Sequence, residues 1–130
     1  MSVQMELHKI IISEMQTEQI IMLKEVDGER KFPIVIGSPE ANAIRRRLQG
    51  EVSARPLTHD LLANVIEQLG GAVERIEINN LEDHTFFARI LIRRDGQVLK
   101  IDSRPSDAIA LGVATMVPIF VAEHVLDEVC

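Results

Sequence analysis

The sequence predicts an α+β domain in which one plan, three strands and then helix, is written twice. Three observations predict it. Stretches with strand periodicity come in groups ahead of stretches with helical periodicity, instead of alternating one by one. Asp27-Gly28 and Asp95-Gly96, both tight-turn signals, stand in matching places of the two halves. At the offset they define, Ile10 meets Ile78, Thr17 meets Thr85 and Leu23 meets Leu91. Past the turn, with a small shift, Ile36, Ser38, Asn42, Ala43 and Ile44 meet Ile101, Ser103, Asp107, Ala108 and Ile109. The copies cover about 3–70 and 71–130 of a 130-residue chain, a length that suits one domain. Two copies are too few for a solenoid, so a fused duplication around one core is expected.

In chain order, Val3, Met5 and Leu7 alternate with polar residues and 10–12 extend the run, which reads as a strand. Residues 20–26 form a second strand and 32–36 a third. Pro33 suits an edge or a strand start, because proline cannot donate to a ladder. Ser38 as cap, Pro39 at the first position and Glu40 in the first turn open a helix, and Gly50 ends it. Thr58 caps the next helix, with Asp60 in its first turn. Leu61, Leu62, Val65, Ile66 and Leu69 form its broad apolar stripe, and Gly70-Gly71 stops it. Residues 73–78 read as a strand, 79–84 as a polar turn, and 85–93 as a strand with Phe86, Ala88, Ile90 and Ile92 on one face. Residues 98–101 are a strand. The helix from 105 to about 114 is apolar nearly all round and should be buried. A short strand at 118–121 and a short helix at 123–129 close the order.

The apolar share of 46% is enough for a core, and an aromatic share of only 3% makes that core aliphatic. A net charge of −6 argues against a large basic nucleic-acid surface, but not against a small site that meets a phosphate locally. Cys130 is the single cysteine, so no disulfide forms within the chain, which fits a reducing compartment. The opening residues lack the basic start and apolar run of a signal peptide, and the longest apolar stretch, 109–122, is too short to span a bilayer. A cytoplasmic protein with no membrane role is expected.

Polar chemistry is densest at 102–107, where Asp102, Ser103, Arg104, Ser106 and Asp107 surround Pro105. Arg104 precedes a proline, so the helix should begin at about Pro105. Asp102 then sits at a strand's C-terminal end and Asp107 in a helix's first turn, the setting in which α/β folds bind anions and do chemistry. Ordinary dipole compensation would also place an acid at Asp107, and turn shaping would place one at Asp102. In the alignment of the halves Gly37 stands where Asp102 stands, and Asn42 where Asp107 stands, so the second copy carries both charges. Arg45, Arg46 and Arg47 fan around their helix, and a solvated face is the preferred reading of them. His59, beside Arg55, Thr58 and Asp60, lies on the polar side of a helix start, where a histidine is more often a capping or surface residue than a catalyst.

Three stretches carry a resemblance. They are Phe32-Pro33-Ile34-Val35-Ile36-Gly37 with Glu40-Ala41-Asn42-Ala43-Ile44, then Arg55-Pro56-Leu57-Thr58-His59-Asp60-Leu61-Leu62, then Asp102-Ser103-Arg104-Pro105-Ser106-Asp107-Ala108-Ile109-Ala110-Leu111. In this order and spacing the chain resembles the bifunctional nuclease domain family, from about Leu7 to Leu126. The resemblance implies two β(3)-α(2) repeats closing a single barrel-like mixed sheet with helices packed on it. It also implies a nuclease that hydrolyses phosphodiester bonds in RNA, DNA or both.

For that chemistry the residues allow catalytic roles for His59, Asp60, Asp102, Arg104 and Asp107. Asp102 and Asp107, with Asp60 as a third, are the candidate ligands of Mg2+ or Mn2+, which would activate water and neutralise the phosphate. His59 would serve as general base or proton shuttle, and Arg104 as a bidentate phosphate clamp. Arg55, Thr58, Ser103 and Ser106 are candidate substrate-binding residues. The alternative is a non-catalytic structural or regulatory module whose motif residues form a buried polar network, with a protein partner or a homo-oligomer formed through exposed strand edges. Nucleophilic catalysis through Ser106 or Cys130 is weak, since no base stands at a recognisable spacing.

Overall fold

Alternating apolar residues make each strand two-faced, and the register of the strands decides whether those faces join. In the computed structural model, which describes residues 1–51 and 53–130, they do. The described residues form β1 (Ser2–Ile11), β2 (Glu18–Glu25), β3 (Lys31–Gly37), α1 (Ser38–Leu48), α2 (Thr58–Gln68), β4 (Ala72–Glu82), β5 (Thr85–Arg94), β6 (Gln97–Ser103), α3 (Pro105–Thr115), β7 (Ile119–Ala122) and α4 (Glu123–Val129). The strands make one mixed seven-stranded sheet in the order β3-β2-β1-β7-β4-β5-β6. Across it Met5 pairs with Ile119, Ile119 with Ile76, Ile76 with Ile90 and Ile90 with Ile101. Directly opposed residues face the same side, so these side chains form one continuous apolar ridge.

Two antiparallel meanders, β1-β2-β3 and β4-β5-β6, are joined by β7, which lies antiparallel to β1 and parallel to β4. The sheet curls strongly. Phe32 of β3 and Phe86 of β5, remote in strand order, bring their rings to 5.7 Å. It does not close, however, and the expected barrel is corrected to an open sheet with β3 and β6 as its edges. Pro33 deprives β3 of one ladder donor. The two edge strands instead run directly into α1 and α3, which pack on each other. Nor do the halves carry equal elements, because β7 stands between α3 and α4 in the second.

Local chemistry departs from expectation in three places. The N-caps are Gly37 and Leu57 instead of Ser38 and Thr58. Ser38 Oγ donates to the Thr17 carbonyl and accepts from Gln19 Nε2, and Asp60 accepts the Leu57 amide at 3.2 Å. The expected polar turn at 79–84 shrinks to Asp83-His84, both with positive φ, and a bulge lets β4 continue to Glu82. The apolar stripe of α2 is not buried. Only Ala63 and Ile66 reach the core, while Leu61, Val65 and Leu69 stay exposed. By contrast α3 is buried as its sequence requires, lying on β4 and β5 between α1 and α2.

Two packing details yield tests. Gly112 of α3 lies so close to β4 that an added Cβ would stand 2.9 Å from Ile76 Cγ1, next to the Cβ branch of a buried side chain with little freedom to withdraw. Gly112→Ala should therefore lower unfolding stability by about 1–3 kcal/mol in urea titrations, despite alanine's higher helix propensity. Arg30 bridges Glu25 at 2.6 Å and Glu123 at 2.9 Å, tying the β2-β3 hairpin to α4. Its hydrogen bond holds the Glu25 carboxyl below the ordinary glutamate value of 4.5. A depressed native value means that this stabilisation is present above 4.5 and fades as pH falls through the lower native value. NMR titration should show Glu25 ionising below 4.5, and Arg30→Ala should return it to the ordinary value.

Candidate active site

Because β3 and β6 end on the same rim of the curled sheet, the helices that follow them start side by side. The first turns of α1 and α3 meet there, and α2 begins beside them. Pro39 and Glu40, Leu57 to His59, and Arg104 with Asp107 line one open groove of about 650 Å3, together with Asn42, Arg45 and Arg46. Three helix N-termini thus border one space, and their positive dipole ends favour an anion there.

The carboxylate of Asp107 is the hub. Its Oδ1 lies 3.2 Å from His59 Nε2, and its Oδ2 accepts from Arg104 Nε at 2.9 Å. The second arm of Arg104 reaches Glu40 Oε1 at 3.3 Å, so one guanidinium spans the entrances of α1 and α3. These hydrogen bonds, chiefly the one to Asp107, push Arg104 above its usual value, and it stays cationic at every working pH. The cluster is wet on one side, with the Arg104 side chain 67% exposed and His59 at 18%. A carboxylate can only accept here, so His59 carries its proton on Nε2. Its Nδ1 makes no hydrogen bond among the described residues and remains available.

The structure brings together His59, Arg104 and Asp107 of the five residues expected to be catalytic. Asp60 turns to the other side of its helix, capping Leu57 and lying 3.8 Å from Arg47. It lines a neighbouring groove of about 620 Å3, which also holds Arg55 and shares His59. Asp102 is placed apart. Its β5 partner is Arg89, and strand alternation puts the pair on the outer face, away from the helices. Thr58 is exposed and lines the groove, Ser103 donates to the Arg104 carbonyl at 2.8 Å, and Ser106 is buried in the first turn of α3. Sequence reasoning missed Glu40, Asn42 and Arg45 as groove residues. One signal was present, since Asn42 is the residue that aligns with Asp107 between the halves.

The three carboxylates expected to hold a metal do not converge, and no group of three His, Cys, Asp or Glu among the described residues is placed to share one. Arg104 sits where a cation between Glu40 and Asp107 would sit. The residues present do not fit the expected ligand set.

The profile of the bifunctional nuclease domain matches residues 21–130, and the chain belongs to that family. Among individual relatives, an uncharacterized protein of Mycobacterium tuberculosis is 38% identical over 119 residues, covering 92% of this chain and 71% of the relative. Bifunctional nuclease 2 of Oryza sativa subsp. japonica is 27% identical over 83% of this chain, which spans 34% of that protein. Bifunctional nuclease 1 of Arabidopsis thaliana is 24% identical over 80% of this chain and 33% of its own length. No helix among the described residues is long and apolar enough to cross a membrane.

The geometry makes the His59 ring a sensitive reporter. Long-range 1H-15N NMR should find Nε2 protonated in the wild-type protein. Asp107→Asn should populate the other tautomer, because an amide no longer demands a donor at that position.

Proposed function

We propose that the chain is a nuclease that hydrolyses phosphodiester bonds of RNA or DNA by acid–base chemistry at His59. The observation that carries this reading is the His59–Asp107–Arg104 cluster at the floor of a groove walled by three helix N-termini. Asp107 orients the imidazole and offsets the charge it gains, leaving Nδ1 to take a proton from an attacking water. Arg104 and Arg45 offer guanidinium groups to the phosphate, and the helix amides favour the charge that builds on its oxygens. Membership of the family supports the reading, as do the names of the plant relatives. Nucleic acid is then the substrate, met by a local cationic groove on an acidic protein.

The test is cleavage of single-stranded RNA and DNA by purified protein. His59→Gln should lower kcat by about 10²–10⁴-fold, the usual worth of a positioned base. Arg104→Met should raise KM, through the lost phosphate contact, and also lower kcat, because Asp107 loses the partner that positions it against His59. Equal rates for wild type and His59→Gln would sink the proposal and point to a contaminating enzyme. Activity should survive excess chelator. Its loss would bring a divalent metal such as Mg2+ or Mn2+ back into the mechanism, with Glu40 and Asp107 as the nearest carboxylates.

A further inference from the structure

Among the described residues β6 pairs with β5 alone, so its far edge is open. Unlike β3, it has no proline to blunt that edge. Leu99 and Ile101 face the helix side, opposite Ile92 and Ile90, yet remain 38% and 44% exposed. Ile66 of α2 stands near Gly71 and Ile92, over the β5 end of the sheet. The polar flank with Asp60, Asn64 and Glu67 faces α1 across a groove. At about 100° per residue, Leu62, Val65 and Leu69 therefore point away from α1. They are 38%, 44% and 64% exposed.

We propose that a second copy of this chain joins here, its β6 pairing antiparallel with this β6 about a two-fold axis through Ile101. Partners across an antiparallel ladder must share a face, so a self-paired strand can be centred only on a residue. Centring on Lys100 opposes two lysines, and centring on Asp102 opposes two aspartates. Centring on Leu99 leaves both charges without an opposite partner. Centring on Ile101 sets each Lys100 against Asp102 of the second copy, on the outer face, twice over. On the inner face it sets Ile101 against itself and Leu99 against Ser103. The same axis carries both α2 helices to one side of the joined sheet, where Leu62, Val65 and Leu69 meet their counterparts. Charge pairing selects the register, and the uncovered apolar flank supplies the driving force. The register also sets Val98 of the second copy opposite Arg104, so the dimer edge ends at the rim of the groove.

Sedimentation equilibrium at micromolar concentration should give the mass of a dimer. Lys100→Asp alone, and Asp102→Lys alone, should each raise the dimer Kd about tenfold or more, because two attractive pairs become repulsive together. The double variant Lys100→Asp/Asp102→Lys should restore association. Val65→Lys, at an exposed site remote from the strand pairing, should also raise the Kd. A monomeric wild-type protein, or a dimer whose Kd neither charge reversal changes, overturns the proposal. These masses are read without nuclease substrate, so they stand or fall apart from the catalytic reading.

Discussion

The site depends on one guanidinium. Arg104 is held between Asp107 and Glu40, which belong to helices that follow opposite edges of the sheet. Each acid is also the ordinary dipole compensation of its own first turn. Placed side by side without a cation between them, the two would repel. With Arg104 between them, the α1 and α3 entrances are fastened at a fixed separation. The Asp107 oxygen that Arg104 does not take is turned to His59. The placement of Asp107, and through it the orientation of the imidazole, thus depends on a single bridging side chain. Most of that side chain remains in water, which limits its worth to stability and leaves it able to meet a phosphate.

The curl of the sheet makes this bridge possible. A flat sheet would hold β3 and β6 at opposite margins, and their helices would start far apart. Here the inner apolar ridge wraps α3, and the edges converge until α1 and α3 touch. On the outer face a different economy holds. Glu77, nearly buried, lies between Arg75 at 3.0 Å and Arg89 at 2.7 Å, and Arg75 covers the Phe120 ring. Asp102 belongs to that surface, beside Arg89, and its position in sequence next to the site is an accident of strand alternation.

Element order was almost fully legible, because periodicity and Gly/Pro punctuation act locally. The Asp95-Gly96 hairpin, the buried α3 and the short β7 all follow from neighbouring residues. What was not legible is tertiary. Nothing in Ile119-Phe120-Val121 says that it is central to the sheet. Nothing in the apolar stripe of α2 says that most of it stays uncovered. The Asp83-His84 turn lacked the glycine that usually announces positive φ. Within the site, His59 and Asp107 were recognisable one by one, but Glu40 read only as a first-turn acid. Asp102 misled because proximity along the chain is weak evidence when successive side chains face opposite ways.

The position of β7 sets the order of events during synthesis. Each meander can pair as soon as its own residues leave the ribosome, since its contacts are close in sequence. The strand that joins them emerges only after Thr115, and it must slide between β1 and β4. Until then two hydrophobic half-sheets each expose a bare inner margin, ready to pair with the wrong neighbour or with another nascent chain. Four residues, Ile119–Ala122, therefore decide whether two locally competent pieces become one molecule.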